Sequence, residues 1–326
     1  MKVPVDGKLA EYSSIKRQNG VVIPLVSAHL LKRGDDSNRN PRVVHPSEMA
    51  AADWCERATY YRIVAGEWPD SGKFNFTLQN IFAEGNAIHS KWQNWMAETG
   101  KLWGDWECRI CGKLAKSQLK PKEDGCAVLI VPHIWEYKEV SLQHGLISGH
   151  EDGALIGDYC LVEVKSIGLG TLRHENPALL AKHYVETKDG KKLYDLDAVW
   201  NGLRRPLPNH LRQANVYLHL VKMMGLPFDR CSILYEYKVN QVCKEYVVGL
   251  SSKIIDPLLE RVEMIHEAID ANYPPSCPNG GCSKCAYYDK IEDQGRVIPE
   301  LAALIKERNA KGATSAHRVP RKYTSR

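Results

Sequence analysis

Asp152, Glu163 and Lys165 carry the clearest chemistry in this chain. In GHEDGALIGDYCLVEVKS, Gly157-Asp158 reads as a two-residue hairpin turn. That turn sets Ile156 against Tyr159, Ala154 against Leu161 and Asp152 against Glu163. The two carboxylates then become cross-strand neighbours, with Cβ atoms about 5 Å apart. Like charges that close repel unless something positive lies between them. A divalent cation bound by oxygen ligands is the natural solution. Lys165 emerges two residues after Glu163 on the same face, where an ammonium can orient a water or stabilise a phosphate. The bland alternative is a solvent-facing hairpin with a surface Glu-Lys pair. Leu161, Val162 and Val164 weaken it, because they make the strand read as buried on both faces, where unpaired charge is costly.

Two helical pairs flank this hairpin. Gly85 and His89 precede it; Gln213 and Tyr217 follow it, four apart and so on one helix face. The spacing Gly149-x-x-Asp152, then Glu163-Val164-Lys165 eleven residues on, resembles the PD-(D/E)XK nuclease superfamily, in particular its RecB-like branch. That branch also has a helical Gly-x-x-x-His before the hairpin and a Gln-x-x-x-Tyr after it. The resemblance implies an α/β fold, a mixed sheet flanked by helices, with a helical N-terminal region. It implies that Asp152, Glu163, His89 and the backbone carbonyl of Val164 bind Mg²⁺ or Mn²⁺. Lys165 would position or activate the attacking water, while Gln213 and Tyr217 hold the DNA backbone or support Lys165. The implied activity is exonucleolytic hydrolysis of DNA phosphodiesters, on single strands or duplex ends and with 5′→3′ direction, in recombination, repair or phage DNA processing. A rival reading is a non-catalytic DNA-binding or CRISPR-adaptation partner that keeps the fold; the intact set of His89, Asp152, Glu163 and Lys165 favours catalysis. A purely structural zinc protein is a third, which leaves the pairing of Asp152 with Glu163 unexplained.

The chain has ten cysteines. Its start, MKVPVDGKLAEYSSIKRQ, lacks the apolar core of a secretory signal, so the expected location is the cytoplasm of a bacterial or phage-infected cell. There thiols stay reduced and metal binding is the better explanation. Cys277, Cys282 and Cys285 form C-x4-C-x2-C in the loop PPSCPNGGCSKC, a trio that suits zinc or iron–sulfur binding. With the distant Cys55 they resemble the iron–sulfur RecB-like nucleases, which include the AddB nuclease domain and the fourth CRISPR-associated (Cas) family. HPSEMAAADWCERATYYR looks like the first-Cys region of phage-encoded relatives of that family. The resemblance spans roughly residues 45–290 and implies a [4Fe–4S] cluster on Cys55, Cys277, Cys282 and Cys285. A second set, Cys108-x-x-Cys111 with Cys126 and His133 (His144 being a second candidate), reads either as a tetrahedral zinc site or as a ribbon that has lost its metal. Lys113, Lys116, Lys120 and Lys122 nearby read as DNA contacts or as a solvated basic loop. Cys160, Cys231 and Cys243 read as buried packing residues.

The elements that must position these groups follow from composition and period. Hydrophobic residues make up 44% and charged residues 25% of 326, which excludes collagen-like, low-complexity and largely disordered chains. The longest apolar run is too short for a bilayer. The net charge of +5 permits a nucleic-acid partner. Residues 1–44 read as a peripheral arm, 45–290 as the nuclease domain with a small insertion at 101–135, and 291–326 as a final helix and basic tail. One helix is expected from Ser47 to about Gly66. A second, near residues 78–99, should bury Ile81, Ile88, Trp92 and Trp95. A third should be capped by Asn209, and a fourth should start at Asp256-Pro257. SILYEYKV and VCKEYVVGL form a hairpin around Asn240. Trp68 is the aromatic most expected to stand exposed for base stacking.

Overall fold

The computed structural model describes residues 2–4, 21–33, 39–68, 75–126, 131–188, 190 and 192–285. Half of the expected arm and all of the expected C-terminal helix and basic tail lie outside them. The chain divides into two compact units, one of residues 1–39, 43–54 and 71–260, the other of residues 40–42, 55–70 and 261–326.

The first unit is built on a seven-stranded mixed sheet flanked by helices, as expected. Its strand order is Cys243–Gly249, Arg230–Tyr237, Cys160–Ile167, Gly153–Leu155, Leu102–Cys108 and Leu114–Leu119, with Trp135–Lys138 also paired to Leu102–Cys108. Only Cys160–Ile167 and Arg230–Tyr237 run parallel. A parallel pair needs a long crossover, and the helices Leu169–Glu175, Pro177–Lys182, Leu196–Gly202 and Pro208–Met223 lie in it. Within the expected insertion, the strands Leu102–Cys108 and Leu114–Leu119 are both part of this sheet.

Cys160–Ile167 is buried along nearly its whole length. It has neighbours on both sides, and layers cover both faces, which is why its apolar run does not alternate. Val162 and Val164 join Ile88, Met96, Leu102, Trp106, Cys108, Cys126 and Trp135 in one hydrophobic core. Trp106 is 1% exposed; truncating a residue so enclosed costs about 3–5 kcal/mol.

The helices depart from expectation in instructive ways. Pro46–Ala50 and Glu56–Ala65 are separate helices, with Ala51 and Cys55 both extended between them. Phe76–Glu98 is capped by Asn75, whose side chain accepts from Leu78 N. Its buried residues are Ile88 and Met96, with Trp92 between them partly buried against the same core. Ile81 and Trp95, expected to be buried, are 48% and 49% exposed; Ile81 shares the face of Ile88 but lies two turns nearer the start of the helix. Pro208–Met223 starts two residues early, capped by Leu207 and opened by a proline whose missing N–H costs nothing in a first turn. Asn209 is instead spent on Glu175 and Arg212. Ser252–Asp270 starts four residues before the expected cap and carries Pro257 inside. The hairpin around Asn240 is present, Arg230–Tyr237 pairing with Cys243–Gly249. Cys160 and Cys231 are buried, but Cys243 is exposed on its edge strand. No helix among the described residues is long and apolar enough to cross a membrane.

In the second unit, Arg261 reaches Glu56. Trp68 is half-buried, with the Arg62 guanidinium 4.3 Å from its ring centroid, rather than standing free. Tyr60 and Tyr61 are core residues at 1% and 2% exposure.

Candidate functional site

The expected hairpin register holds. Leu155 faces Cys160, Ala154 faces Leu161 and Gly153 faces Val162, so the next pair in the same register is Asp152 with Glu163. Ile156 to Tyr159 form the turn itself, with Gly157 at φ 94° and Tyr159 at φ 48°. The connection is therefore four residues long where two were expected.

Asp152 sits just past the ladder and is 8% exposed. One carboxylate oxygen accepts from the Val164 amide at 2.7 Å. The other lies 3.1 Å from His89 Nδ1. Val164 thus meets Asp152 through its N–H. His89 comes from Phe76–Glu98, which two further contacts pin in place. Lys91 and Trp92 converge on the buried Glu236 of the neighbouring strand, with Lys91 Nζ at 2.5 and 2.6 Å and Trp92 Nε1 at 2.7 Å. One turn beyond His89, Gln93 Nε2 donates to the Asp152 carbonyl and to Glu139, each at 3.0 Å.

Glu139 is the residue that sequence reasoning missed. One donor atom each from His89, Glu139 and Asp152 lies within 4.8 Å of the others. Glu163 is not in that group: its Oε1 is taken by Lys165 Nζ. An imidazole and two carboxylates are a donor set that suits a hard divalent ion. The local electrostatics agree. Burial, then the charge of Asp152, holds the Glu139 carboxyl above its usual range. Burial pushes Glu163 up to about 7, opposed by Lys165 and reinforced by Asp152. Burial alone would lower Lys165, yet Glu163 and Asp152 raise it on balance, so it remains an ammonium. Burial also lifts Glu151, the neighbour of Asp152, to about 8, although Tyr137 Oη donates to it at 3.1 Å.

Gln213 and Tyr217 are 8% and 5% exposed, with Gln213 Nε2 3.5 Å from Tyr217 Oη. Burial, then the charges of Glu163 and Asp152, raises the Tyr217 phenol well above its usual value. A Cβ on Gly149 would stand 2.7 Å from Pro46 and 3.2 Å from Tyr217. Glycine there lets the strand Ile147–His150 pass beneath both. At Gly85 an added Cβ would meet only Ser166 Oγ, at 3.8 Å, so packing does not require glycine at that position.

The four cysteines Cys55, Cys277, Cys282 and Cys285 come together within the second unit. Cys55 Sγ is 3.1 Å from Cys285 and 3.8 Å from Cys277, and Cys282 is 3.5 Å from Cys285. Four thiols fit zinc or an iron–sulfur cluster in donor type and number. The separations are near the edge of a sulfur tetrahedron around one ion, about 3.8 Å for bonds of about 2.3 Å. A cubane binds each thiolate to a different iron and requires the loop to open outward. Gly280 and Gly281, both at positive φ with nothing within 4 Å of an added Cβ, leave room for that. The Cys277 thiol is brought down to about 6: burial opposes this, and the amides of Gly281 and Asn279, with the neighbouring thiols, outweigh it.

Cys108, Cys111, Cys126 and His133 form the other close group, again with donors within 4.8 Å. Burial works against ionisation of Cys108, but His133 and the amides of Cys111, Ile110 and Ile134 bring its thiol to about 6. His144 lies elsewhere, 6.3 Å from His219 between ring centroids.

No protein-family model matches the chain, and no curated protein matches it. Among solved structures, it is similar to the alkaline exonuclease LHK-Exo of Laribacter hongkongensis, at 12% identity over 75% of this chain and 93% of that one, with a TM-score of 0.39. LHK-Exo in complex with dAMP gives 13% identity, 71% and 90% coverage and a TM-score of 0.37. The protein SSO0001 gives 13% identity, 76% and 87% coverage and a TM-score of 0.35.

Proposed function

We propose that this chain is a divalent-metal-dependent DNA exonuclease that hydrolyses phosphodiesters on single strands or at duplex ends, in the 5′→3′ direction, during recombination, repair or phage DNA processing. The observation that carries it is the meeting of His89 and Asp152 across 63 residues of sequence, in register beside the Glu163–Lys165 pair. Asp152, His89 and Glu139 would hold Mg²⁺ or Mn²⁺, with Glu163 and the Val164 carbonyl completing the shell. The bound ion would polarise the scissile phosphate and lower the pKa of a coordinated water.

The chain's own groups do the rest. Lys165, kept cationic by its acidic neighbours, orients the water and offsets charge gathering on the phosphate oxygens. It is a poor proton acceptor in that state, so its role is electrostatic. Gln213 and Tyr217, 8% and 5% exposed, are too enclosed to lie along a DNA backbone, so their part in this reading is to support the site from within the fold. The Cys55, Cys277, Cys282 and Cys285 tetrad would hold a [4Fe–4S] cluster, a clip that joins the helix at residue 56 to the loop at residue 285.

The second reading is a DNA-binding protein that keeps the fold without cutting. The pairing of Lys165 with Glu163 favours it, since a satisfied ion pair needs no metal. The deciding experiment incubates the purified chain with end-labelled single- and double-stranded DNA, with and without Mn²⁺. Mn²⁺-dependent release of nucleotides from the 5′ end, abolished in Asp152→Ala, is expected. DNA retained intact by a folded, DNA-binding chain would overturn the exonuclease reading.

A further inference from the structure

We propose that Cys108, Cys111, Cys126 and His133 bind one structural zinc ion, which clips the outer edge of the central sheet. The inference does not rest on the nuclease reading.

The four donors arrive from three segments. Cys108 is the last residue of the strand Leu102–Cys108. Cys111 lies on the turn that follows, closed by Gly112 N donating to the Cys108 carbonyl at 2.8 Å and by Cys108 N donating to Lys113 O at 2.9 Å. Gly112 sits at φ 68°, a conformation that side chains resist. Cys126 is on the short strand Gly125–Cys126, and His133 follows that strand's partner, Val131–Pro132. His133 N donates to Asp124 O at 3.1 Å, and Arg109 N donates to Ile134 O at 3.0 Å. The backbone thus holds all three segments in register around the cluster.

The cluster is enclosed. Cys108 and Cys126 are each 1% exposed and His133 is 6% exposed. No disulfide joins these thiols, and a disulfide would occupy only two of them. An imidazole this deep needs polar partners, and here those partners are sulfurs. His133 Nδ1 lies 3.7 Å from Cys111 Sγ. A tetrahedral zinc with Zn–S bonds of about 2.3 Å and a Zn–N bond of about 2.0–2.1 Å sets its sulfur and nitrogen about 3.6 Å apart. The imidazole is also oriented: Trp135 stacks on it, with centroids 4.8 Å apart at 30°. Trp135 is itself fixed by Nε1 donating to Lys122 O at 3.1 Å. Soft thiolates with one imidazole in a four-donor shell select zinc among common divalent ions. Four protein donors leave no open position, so the ion is structural.

The strands Leu114–Leu119 and Trp135–Lys138 both pair with Leu102–Cys108. The ion would therefore anchor the end of the sheet farthest from Cys243–Gly249. It would also order the strand Leu114–Leu119, whose Lys116 is exposed.

The test is metal analysis of the full chain, grown with zinc and purified without chelator, for wild type, Cys111→Ala, His133→Ala and Cys282→Ala. Wild type should hold one more zinc equivalent than Cys111→Ala or His133→Ala, whatever metal the other tetrad carries. Cys282→Ala should keep that equivalent. The two insertion variants should also become sensitive to proteolysis between residues 109 and 134. His133→Cys guards against simple misfolding, since it supplies a fourth sulfur. With Co²⁺ it should retain the ion and show stronger sulfur-to-metal charge transfer than wild type, which a collapsed loop could not produce. Zinc-free wild type, or unchanged zinc in both Cys111→Ala and His133→Ala, would overturn the proposal.

Discussion

His89 Nδ1 stands 3.1 Å from one oxygen of Asp152, while the Val164 amide donates to the other at 2.7 Å. The carboxylate is therefore held at both oxygens, by a helix on one side and a strand on the other. Asp152→Asn keeps the shape and can still accept from Val164, but it turns an amide toward His89 and removes the negative charge. Activity with Mn²⁺ should fall on the order of a hundredfold or more, with stability changed by no more than about 2 kcal/mol. Steady-state rates and urea denaturation of the same preparation check both parts. Unchanged rates would remove Asp152 from the ligand set.

Glu163 and Lys165 form a buried ion pair, so single and double substitutions must be compared. Lys165→Met leaves a buried carboxyl without its cation. The fold then holds the Glu163 pKa above the unfolded value of 4.5, where burial already pushes it even with Lys165 present. A raised acid costs stability as pH climbs. The destabilisation of Lys165→Met should be small near pH 4.5 and grow through pH 7 and above, reaching about 3 kcal/mol. Adding Glu163→Gln should restore stability to within about 1 kcal/mol while activity stays lost. An active double variant would make the pair an ordinary structural one.

The cysteine tetrad separates two occupants by elemental analysis. After anaerobic purification the wild-type chain should be brown and contain about four irons, and Cys282→Ala should lose that iron and give a lower soluble yield. A colourless chain with zinc in the tetrad would match the present sulfur separations of 3.1–3.8 Å and remove the cluster from the proposed function.

The hairpin register was legible because one turn fixes every pair that follows it, so Asp152 and Glu163 could be aligned from Gly157 alone. A longer turn did not disturb this, since Leu155 and Cys160 close it in the same register. The cysteine sets were legible because thiols in clusters have few other uses. Glu139 was not. It lies outside any helix or strand, and only the fold brings it to Asp152, with Gln93 bridging the two. The extent of burial on Phe76–Glu98 was also out of reach: Ile81 and Trp95 fit the helical period yet are about half exposed, Trp95 meeting the edge of Trp92 and the Lys91 ammonium.

Glu139 yields its own prediction. As a ligand at the rim rather than the centre, it should tune affinity more than rate. Glu139→Gln should raise the Mn²⁺ concentration for half-maximal activity about tenfold and approach the wild-type rate at saturation. A lower rate with unchanged Mn²⁺ dependence would place Glu139 outside the shell.

His210 supplies a pH test away from the metal ligands. Its Nδ1 lies 2.7 Å from Tyr235 Oη, and burial, helped by the charge of Lys165, depresses its pKa to about 3. The folded chain thus keeps His210 neutral, while the unfolded chain takes up a proton below its ordinary value of 6.5. The unfolded state binds more protons between pH 6.5 and 3, so stability rises with pH across that window and is flat above it. His210→Gln can keep a hydrogen bond to Tyr235 but cannot titrate. Between pH 7.5 and pH 5 the wild type should lose about 2 kcal/mol more stability than the variant, read from urea midpoints at both values. Parallel losses in the two proteins would show that His210 is not held neutral by the fold.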